Sequence, residues 1–165
     1  MSKTVWRIAT DTPTYEADDL SGAGAKATGG RWNAAGIACV YASESRALAC
    51  LETIVHLNAG GLPLKRYLVA VTIPDDLWAA AEVASTGSLP VGWDAEPAGR
   101  ASIAFGTDWL RAGRSALLVV PSVIVPEECN VVVNPQHAGS GGIAAGKVRK
   151  WVYDPRLAKR AGIDA

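Results

Sequence analysis

The stretch from residue 29 to residue 56, GGRWNAAGIACVYASESRALACLETIVH, constrains the fold more than any other part of the chain. It begins with two glycines before Arg31, turns at Gly36 and continues into a short apolar segment, residues 37–41. A helix with Ser43 as its N-cap is predicted to follow, because apolar residues then recur at helical spacing. The residues of the predicted buried stripe are Ala47, Leu48, Leu51, Ile54 and Val55.

Three side chains of this stretch carry chemistry. Arg31 precedes the predicted strand, Tyr41 ends it, and Glu52 lies on a flank of the helical stripe, one turn before His56. A guanidinium binds phosphate oxygens through two parallel hydrogen bonds, and glycines let a backbone approach a ligand closely. Taken singly, each residue is more typical of a structural role, Arg31 as a surface ion pair and Glu52 as a solvated carboxylate. Together they form the hypothesis of one anion-binding site.

The remaining pattern indicates an α+β fold. Strands are predicted at residues 5–9, 66–73, 116–126, 129–137 and 148–155. Residues 99–113 are predicted to form a helix, and residues 11–30 a loop with a short helical turn near residues 17–20. We therefore expect mainly antiparallel or mixed β-sheets with flanking helices.

Two positions in these strands matter for a site. Pro121 cannot donate to a sheet ladder, so it interrupts its strand and allows Ser122 to turn toward a ligand. Arg7 lies between apolar neighbours of the first strand, and the sequence alone favours a solvent-facing side chain there.

Length and composition narrow the class of protein. A chain of 165 residues that is 49% hydrophobic and 19% charged predicts a single globular domain over residues 1–165. Lys plus Arg and Asp plus Glu are equal at 16 each, which gives no indication of direct nucleic-acid or membrane binding. No apolar signal segment or span is evident, so a cytoplasmic protein is expected.

Known site motifs are largely absent. Three cysteines without Cys-x-x-Cys spacing and only two histidines, His56 and His137, favour free thiols and no metal. No Walker loop, dinucleotide-binding glycine fingerprint or serine-hydrolase elbow occurs in the sequence. These signatures therefore give no help in assigning a reaction.

Four blocks taken together resemble the RES-domain toxins of bacterial type II toxin–antitoxin systems. They are GGRWNAAG, VYASES, LACLETIVH and VVPSVIVPEECNVVVNPQH, and the resemblance runs from about residue 6 to residue 151. It implies an ADP-ribosyltransferase-like fold and an enzyme that cleaves the nicotinamide–ribose bond of NAD. NAD would be the substrate, with no separate cofactor and no metal.

The resemblance also implies a role for each site residue. Arg31 would bind the NAD pyrophosphate, and Tyr41 would stack on or hydrogen-bond the nicotinamide–ribose end. Glu52 would be the catalytic carboxylate, Ser122 would line the same pocket, and Arg7 would add a second phosphate contact. The expected partner is an Xre-like helix-turn-helix antitoxin that covers the active site, so contact with DNA would be only indirect.

The function stays open among three alternatives. Many arginine-modifying ADP-ribosyltransferases use a Glu-x-Glu or Gln-x-Glu pair, which is absent here because Glu127 and Glu128 are adjacent. Hydrolysis or phosphorolysis of NAD, which would arrest growth, is therefore the first expectation. The second is ADP-ribosylation of a nucleotide-synthesis enzyme such as phosphoribosyl pyrophosphate synthetase. The third is a non-catalytic protein-binding module, suggested by the six tryptophans.

Overall fold

One mixed β-sheet organises the computed structural model, which describes residues 1–57 and 61–157. Within those residues its seven strands follow the order β4-β5-β6-β2-β1-β3-β7. Every neighbouring pair is antiparallel except β4 and β5. The strands are β1 (Ser2–Thr10), β2 (Val40–Ser43), β3 (Arg66–Pro74), β4 (Glu82–Val83), β5 (Leu117–Pro121), β6 (Cys129–Val133) and β7 (Ala144–Trp151).

The sheet is nearly interrupted between β1 and β2. β1 pairs with β3 along its whole length, from Ser2 opposite Pro74 to Thr10 opposite Arg66. With β2 it shares one residue pair, Trp6 opposite Ser43. The end of β1 and the start of β2 therefore diverge, and a cleft opens between two strands that would otherwise be neighbours.

Four α-helices flank the sheet in the described residues, together with short 3₁₀ helices at Ala138–Gly142 and Pro155–Leu157. The α-helices are α1 (Ala23–Thr28), α2 (Arg46–Ile54), α3 (Asp75–Ala79) and α4 (Arg100–Ala112). None of the helices in the described part of the chain is long and apolar enough to cross a membrane.

Helix α2 packs on the face of β1 that carries Trp6 and Ile8. Ala49 of the helix is buried with Ile8 and Leu68, and Trp6, Cys50 and Trp151 surround this cluster. The opposite face of β1, with Val5 and Ala9, belongs to the main core under β3, β5 and β6. Glu52 is thereby carried to the cleft by a helix that the sheet holds in place.

The start and the buried face of α2 differ from the sequence prediction. Ser45, not Ser43, is the N-cap, because its side chain accepts a hydrogen bond from the Leu48 N–H at 3.1 Å. Ser43 is the last residue of β2 and its hydroxyl is committed to Asn130. Leu48 and Ala49 form the buried face of the helix, whereas the predicted stripe residues Ala47 and Val55 are exposed.

Helix α4 and a tryptophan cluster hold the segment around Arg31 against the sheet. Trp32 is 2% exposed, lies parallel to Trp93 with ring centroids 6.3 Å apart, and meets the edge of Phe105 at 6.0 Å. Gly106 of α4 faces the Trp32 backbone so closely that a Cβ would lie 1.9 Å from the Trp32 carbonyl oxygen. The chain beside Arg31 therefore rests directly on a helix backbone.

The predicted α+β fold is confirmed, as are strands at residues 5–9 and 66–73 and the helix at residues 99–113. Near residues 17–20 the chain makes a single turn, closed by a 3.1 Å hydrogen bond from the Asp19 N–H to the Glu16 carbonyl, and the first helix, α1, starts at Ala23. Two strands are displaced: residues 37–41 correspond to Val40–Ser43, and residues 148–155 to Ala144–Trp151. The predicted stop at residues 58–60 lies outside the described residues.

We expect Gly106→Ala to lower the free energy of unfolding by about 1–3 kcal/mol, because the new methyl group overpacks the contact with Trp32. Alanine would otherwise favour a helix by about 1 kcal/mol over glycine, so the clash decides the sign. Urea denaturation measures the change, with Gly146→Ala as the control because a Cβ there meets nothing within 4 Å. Equal stability of the two variants would contradict the close contact.

Candidate functional site

The cleft at the β1–β2 seam has a volume of about 980 Å³, within the usual range for a small-molecule site. Residues from both faces of β1 line it because the seam is open. Four of the side chains predicted from the sequence are among them: Arg7, Arg31, Tyr41 and Glu52. His56 also lines the cleft, whereas Ser122 does not.

Glu52 is half-buried and is held at one carboxylate oxygen. Its Oε1 accepts hydrogen bonds from the Ser122 hydroxyl at 2.8 Å and from the Asn130 side-chain amide at 2.7 Å. No hydrogen bond to Oε2 is formed within the described parts of the chain. The carboxylate is thus fixed in orientation and keeps one oxygen available to a ligand in the cleft.

Ser122 donates a hydrogen bond to Glu52 and does not itself line the cleft, contrary to the prediction. The side chain is fully buried, and its hydroxyl oxygen accepts the backbone N–H groups of Ile124 at 3.1 Å and Val125 at 3.2 Å. With both lone pairs engaged, the single hydroxyl proton is directed to Glu52 Oε1. The break after Pro121 creates the turn that supplies these two N–H groups.

Asn130 is the second support of Glu52, and the sequence reading missed it. Its side-chain oxygen accepts the Ser43 hydroxyl at 2.7 Å, which leaves the amide nitrogen directed at Glu52. Strand β6 and the turn after β5 thus hold one carboxylate through Asn130 and Ser122, and Ser43 of β2 holds Asn130. An asparagine in the valine-rich run CNVVVN was the available signal, because a polar residue in such a strand needs a partner.

Tyr41 joins the strand to the loop that carries Arg31. Its hydroxyl donates to Asn33 Oδ1 at 2.6 Å and accepts the Trp32 backbone N–H at 3.0 Å. Burial, as the largest effect, raises the pKa of Tyr41 far above its usual value, so the phenol stays neutral. Gly30 is required beside it, since a Cβ there would lie 2.8 Å from the hydroxyl. The ring lines the cleft, but the hydroxyl is already occupied.

Asn33 completes the turn, and its role was also missed. It is 1% exposed, and its amide nitrogen donates to the carbonyl oxygens of Ala25, Ala34 and Ile37 at 2.9, 3.3 and 2.8 Å. In the Arg-Trp-Asn triplet, Arg31 therefore lines the cleft, Trp32 packs in the core and Asn33 holds the loop together.

Arg31 lies at the rim of the cleft and contacts the segment before Pro97. One terminal nitrogen donates to the carbonyl oxygens of Trp93 at 3.0 Å and Ala95 at 2.8 Å, and the other pairs with the Glu96 carboxylate at 2.8 Å. The guanidinium is thus positioned by the backbone, and its charge is balanced by an exposed acid.

Arg7 faces the cleft and not bulk solvent, contrary to the expectation from the sequence alone. Burial lowers the pKa of its guanidinium, whereas the charge of Asp19 acts in the opposite direction. Among the described residues no carboxylate lies within ion-pair distance of Arg7. A partly desolvated cation without an ion pair is a suitable binding group for an anionic ligand.

Two further titratable side chains, Cys39 and His137, have structural surroundings. Burial raises the pKa of the cleft-lining Cys39 to about 12, so its thiol is protonated at neutral pH. His137 caps the 3₁₀ helix at Ala138–Gly142 by accepting the Gly139 N–H at 3.0 Å. In residues 1–57 and 61–157 no group of three or more His, Cys, Asp or Glu side chains could hold a metal ion.

Comparison with known proteins assigns the family. The RES domain matches residues 4–154, which is most of the chain. The chain belongs to the RES domain family. That domain contains all five site residues predicted from the sequence, although their individual roles stay predictions.

Similar curated proteins are toxins. "Prs ADP-ribosylating toxin" from Sphingobium sp. (strain YBL2) is 67% identical over 161 residues, covering 98% of this chain and 100% of the relative. "Toxin Res" from Yersinia enterocolitica is 33% identical over 144 residues (87% and 93%), and "Toxin Res" from Pseudomonas putida is 34% identical over 155 residues (93% and 98%). The sequence prediction of a RES-domain toxin that is an enzyme is confirmed.

A solved structure shares the fold. It is the Mycobacterium tuberculosis MbcT–MbcA toxin–antitoxin complex, of which one chain superposes with a TM-score of 0.66 at 17% identity. The alignment covers 98% of this RES-domain chain and 89% of the other. At this identity the similarity concerns the fold alone.

We expect Ser122→Ala to lower the free energy of unfolding by about 1–3 kcal/mol, because the part-buried N–H groups of Ile124 and Val125 lose their acceptor, the hydroxyl of fully buried Ser122. Ser102→Ala is the matched control, since that buried hydroxyl makes a single long bond of 3.4 Å to the Gly99 carbonyl. Chemical denaturation compares the two, and a Ser122→Ala cost no larger than that of Ser102→Ala would contradict the described network.

Proposed function

We propose that this RES-domain protein cleaves the nicotinamide–ribose bond of NAD and transfers ADP-ribose to a protein acceptor, phosphoribosyl pyrophosphate synthetase (Prs). The observation that carries the proposal is a fixed carboxylate, Glu52, in a cleft that also holds the cation Arg7; within residues 1–57 and 61–157 one Glu52 oxygen has no hydrogen bond and Arg7 has no ion pair. The acceptor is inferred from the name of the Sphingobium relative, which is 67% identical over nearly the whole chain.

Glu52 would stabilise the reacting sugar. As the bond between ribose C1′ and the nicotinamide nitrogen breaks, its electron pair leaves with neutral nicotinamide and positive charge develops on the ribose. Glu52 Oε2 would face that charge and accept a hydrogen bond from a ribose hydroxyl. The bonds from Ser122 and Asn130 to Oε1 would keep the carboxylate from rotating. An acceptor nucleophile then bonds to C1′ and releases its proton.

Arg7 and Arg31 would hold the diphosphate. Both line the cleft, and a guanidinium is suited to phosphate oxygens. Arg7 has no competing carboxylate in the described chain. Arg31 is paired with Glu96 and must exchange that carboxylate for the phosphate. Tyr41 would contribute its ring to the wall beside the nicotinamide–ribose end, since its hydroxyl is engaged with the loop. Ser122 would act on NAD only by positioning Glu52.

Transfer to water or phosphate is the second candidate. It is favoured by the residue two positions before Glu52, which is Cys50 and not the Glu or Gln of arginine-modifying transferases. The first candidate is preferred because the relative named for ADP-ribosylation is twice as similar as the two named Toxin Res.

An antitoxin is the proposed protein partner, with the cleft as the surface that it covers. The M. tuberculosis neighbour of the same fold was solved with its antitoxin, MbcA, which supports this partner class. An Xre-like helix-turn-helix antitoxin and a cytoplasmic location remain part of the proposal.

We expect purified protein to release nicotinamide from NAD and, in the presence of Prs, to label Prs with ADP-ribose. Glu52→Gln should reduce both by at least about 100-fold, because a neutral amide cannot stabilise the developing charge. The fold should be kept, since the glutamine oxygen can still accept from Ser122 and Asn130. Glu44→Gln, an exposed acid outside the cleft, is the matched control.

Mass spectrometry of Prs and chromatography of NAD separate the candidates. Nicotinamide release without labelled Prs would favour water or phosphate as the acceptor. Intact NAD with and without Prs and phosphate would reject the proposed reaction, and full activity of a folded Glu52→Gln variant would reject the role of Glu52.

A further inference from the structure

The Arg31–Glu96 ion pair lies inside the cleft that the proposed function assigns to NAD. Both residues line the cleft, and their nitrogen and oxygen atoms are 2.8 Å apart. Their exposures are very different, with 18% of the Arg31 side chain and 73% of the Glu96 side chain accessible to solvent. Arg31 is therefore fixed in the wall of the cleft, whereas the Glu96 side chain can move away into solvent.

The guanidinium stays in place without Glu96. One of its terminal nitrogens donates to the carbonyl oxygens of Trp93 and Ala95, and those bonds do not involve the Glu96 carboxylate. The Trp93 ring in turn packs against buried Trp32, the residue next to Arg31. The donor residue, Arg31, and the acceptor segment at Trp93 are thus both attached to the same core cluster. The Arg31 nitrogen that faces Glu96 is therefore held in place.

Glu96 can be released at small cost. An ion pair with a largely exposed carboxylate is weak, because water solvates the free acid and salt screens the attraction. A diphosphate carries more negative charge than a carboxylate and offers oxygens for the same donor. The exchange of Glu96 for an anionic ligand therefore needs only a side-chain rotation at the rim.

We propose that Glu96 is a built-in competitor of the substrate, a carboxylate that pairs with Arg31 and is displaced by the diphosphate of the bound dinucleotide. The inference rests on the proposed function, because the displacing group is the NAD diphosphate. Glu96 thereby sets a threshold for binding: ligands without a phosphate cannot compensate for the lost ion pair, whereas a diphosphate replaces it.

The test is the affinity of ADP-ribose, measured by isothermal titration calorimetry at low salt for the wild-type protein, Glu96→Gln and Glu127→Gln. Glu96→Gln should bind about two- to fivefold more tightly, the range expected when a weak exposed ion pair no longer competes. Glu127→Gln removes the same charge from an exposed residue outside the cleft and should leave the affinity unchanged.

A second pair of variants isolates Arg31. In an Arg31→Gln background the added Glu96→Gln change should no longer tighten binding, because the competitor has lost its target. The gain from Glu96→Gln alone should also shrink as salt rises to about 0.5 M, since screening weakens the ion pair.

The results separate failure of the Glu96 inference from failure of the proposed function. Unchanged or weaker ADP-ribose binding by Glu96→Gln, or an equal gain with Glu127→Gln, overturns the inference and leaves the NAD site intact. A gain that persists without Arg31 also overturns it. Absence of ADP-ribose binding in all variants, each folded by circular dichroism, would reject the proposed function itself and with it the inference.

Discussion

A single residue pair, Trp6 opposite Ser43, joins the two halves of the sheet at the place where the cleft opens. If β1 and β2 paired along their whole length, the backbone ladder would close the space that Arg7, Tyr41 and Glu52 share. β1 is stabilised instead by complete pairing with β3, and β2 by pairing with β6. Each strand thus has one full partner, and the sheet can remain open between them.

Polar side chains replace the missing ladder at the closed end of this seam. Ser43 donates to Asn130, and Asn130 and Ser122 each donate to the same oxygen of Glu52. Asn130 and Ser122 have a defined donor direction because the Asn130 amide oxygen and the Ser122 hydroxyl oxygen already accept other hydrogen bonds. A fixed carboxylate beside an apolar sheet is the kind of preorganised charge that a reaction with a developing cation requires. The same bonds that connect β2, β6, the turn after β5 and α2 would therefore serve the proposed chemistry.

Much of this could be predicted from the sequence, and the failures have physical causes. The alternation of residues 5–9 and the apolar run at residues 66–73 determine strands almost alone, since burial on a sheet fixes their period. The start of α2 was misplaced because Ser43 and Ser45 are both good caps, and only the bond from Ser43 to Asn130 excludes the first. Local sequence preferences cannot reveal that Ser43 bonds to Asn130, a residue 87 positions away.

The site itself was predicted in part. Arg31, Tyr41 and Glu52 do line one cleft, but the sequence could not show that the Tyr41 hydroxyl and most of the Arg31 donors are engaged by the loops around them. Arg7 was expected to face solvent because period-2 alternation does not reveal a split sheet. Asn130 and Asn33 were missed since amide side chains are usual in turns, and their burial depends on tertiary contacts.

The central claim is that the seam between β1 and β2 binds the dinucleotide with its reactive ribose at the free oxygen of Glu52. A crystal structure of the protein with ADP-ribose tests it most directly. The account predicts ribose hydroxyls within hydrogen-bond distance of Glu52 Oε2, with Oε1 still held by Ser122 and Asn130, and phosphate oxygens at Arg7 and Arg31. ADP-ribose bound outside the seam, or with its ribose away from Glu52, would contradict it.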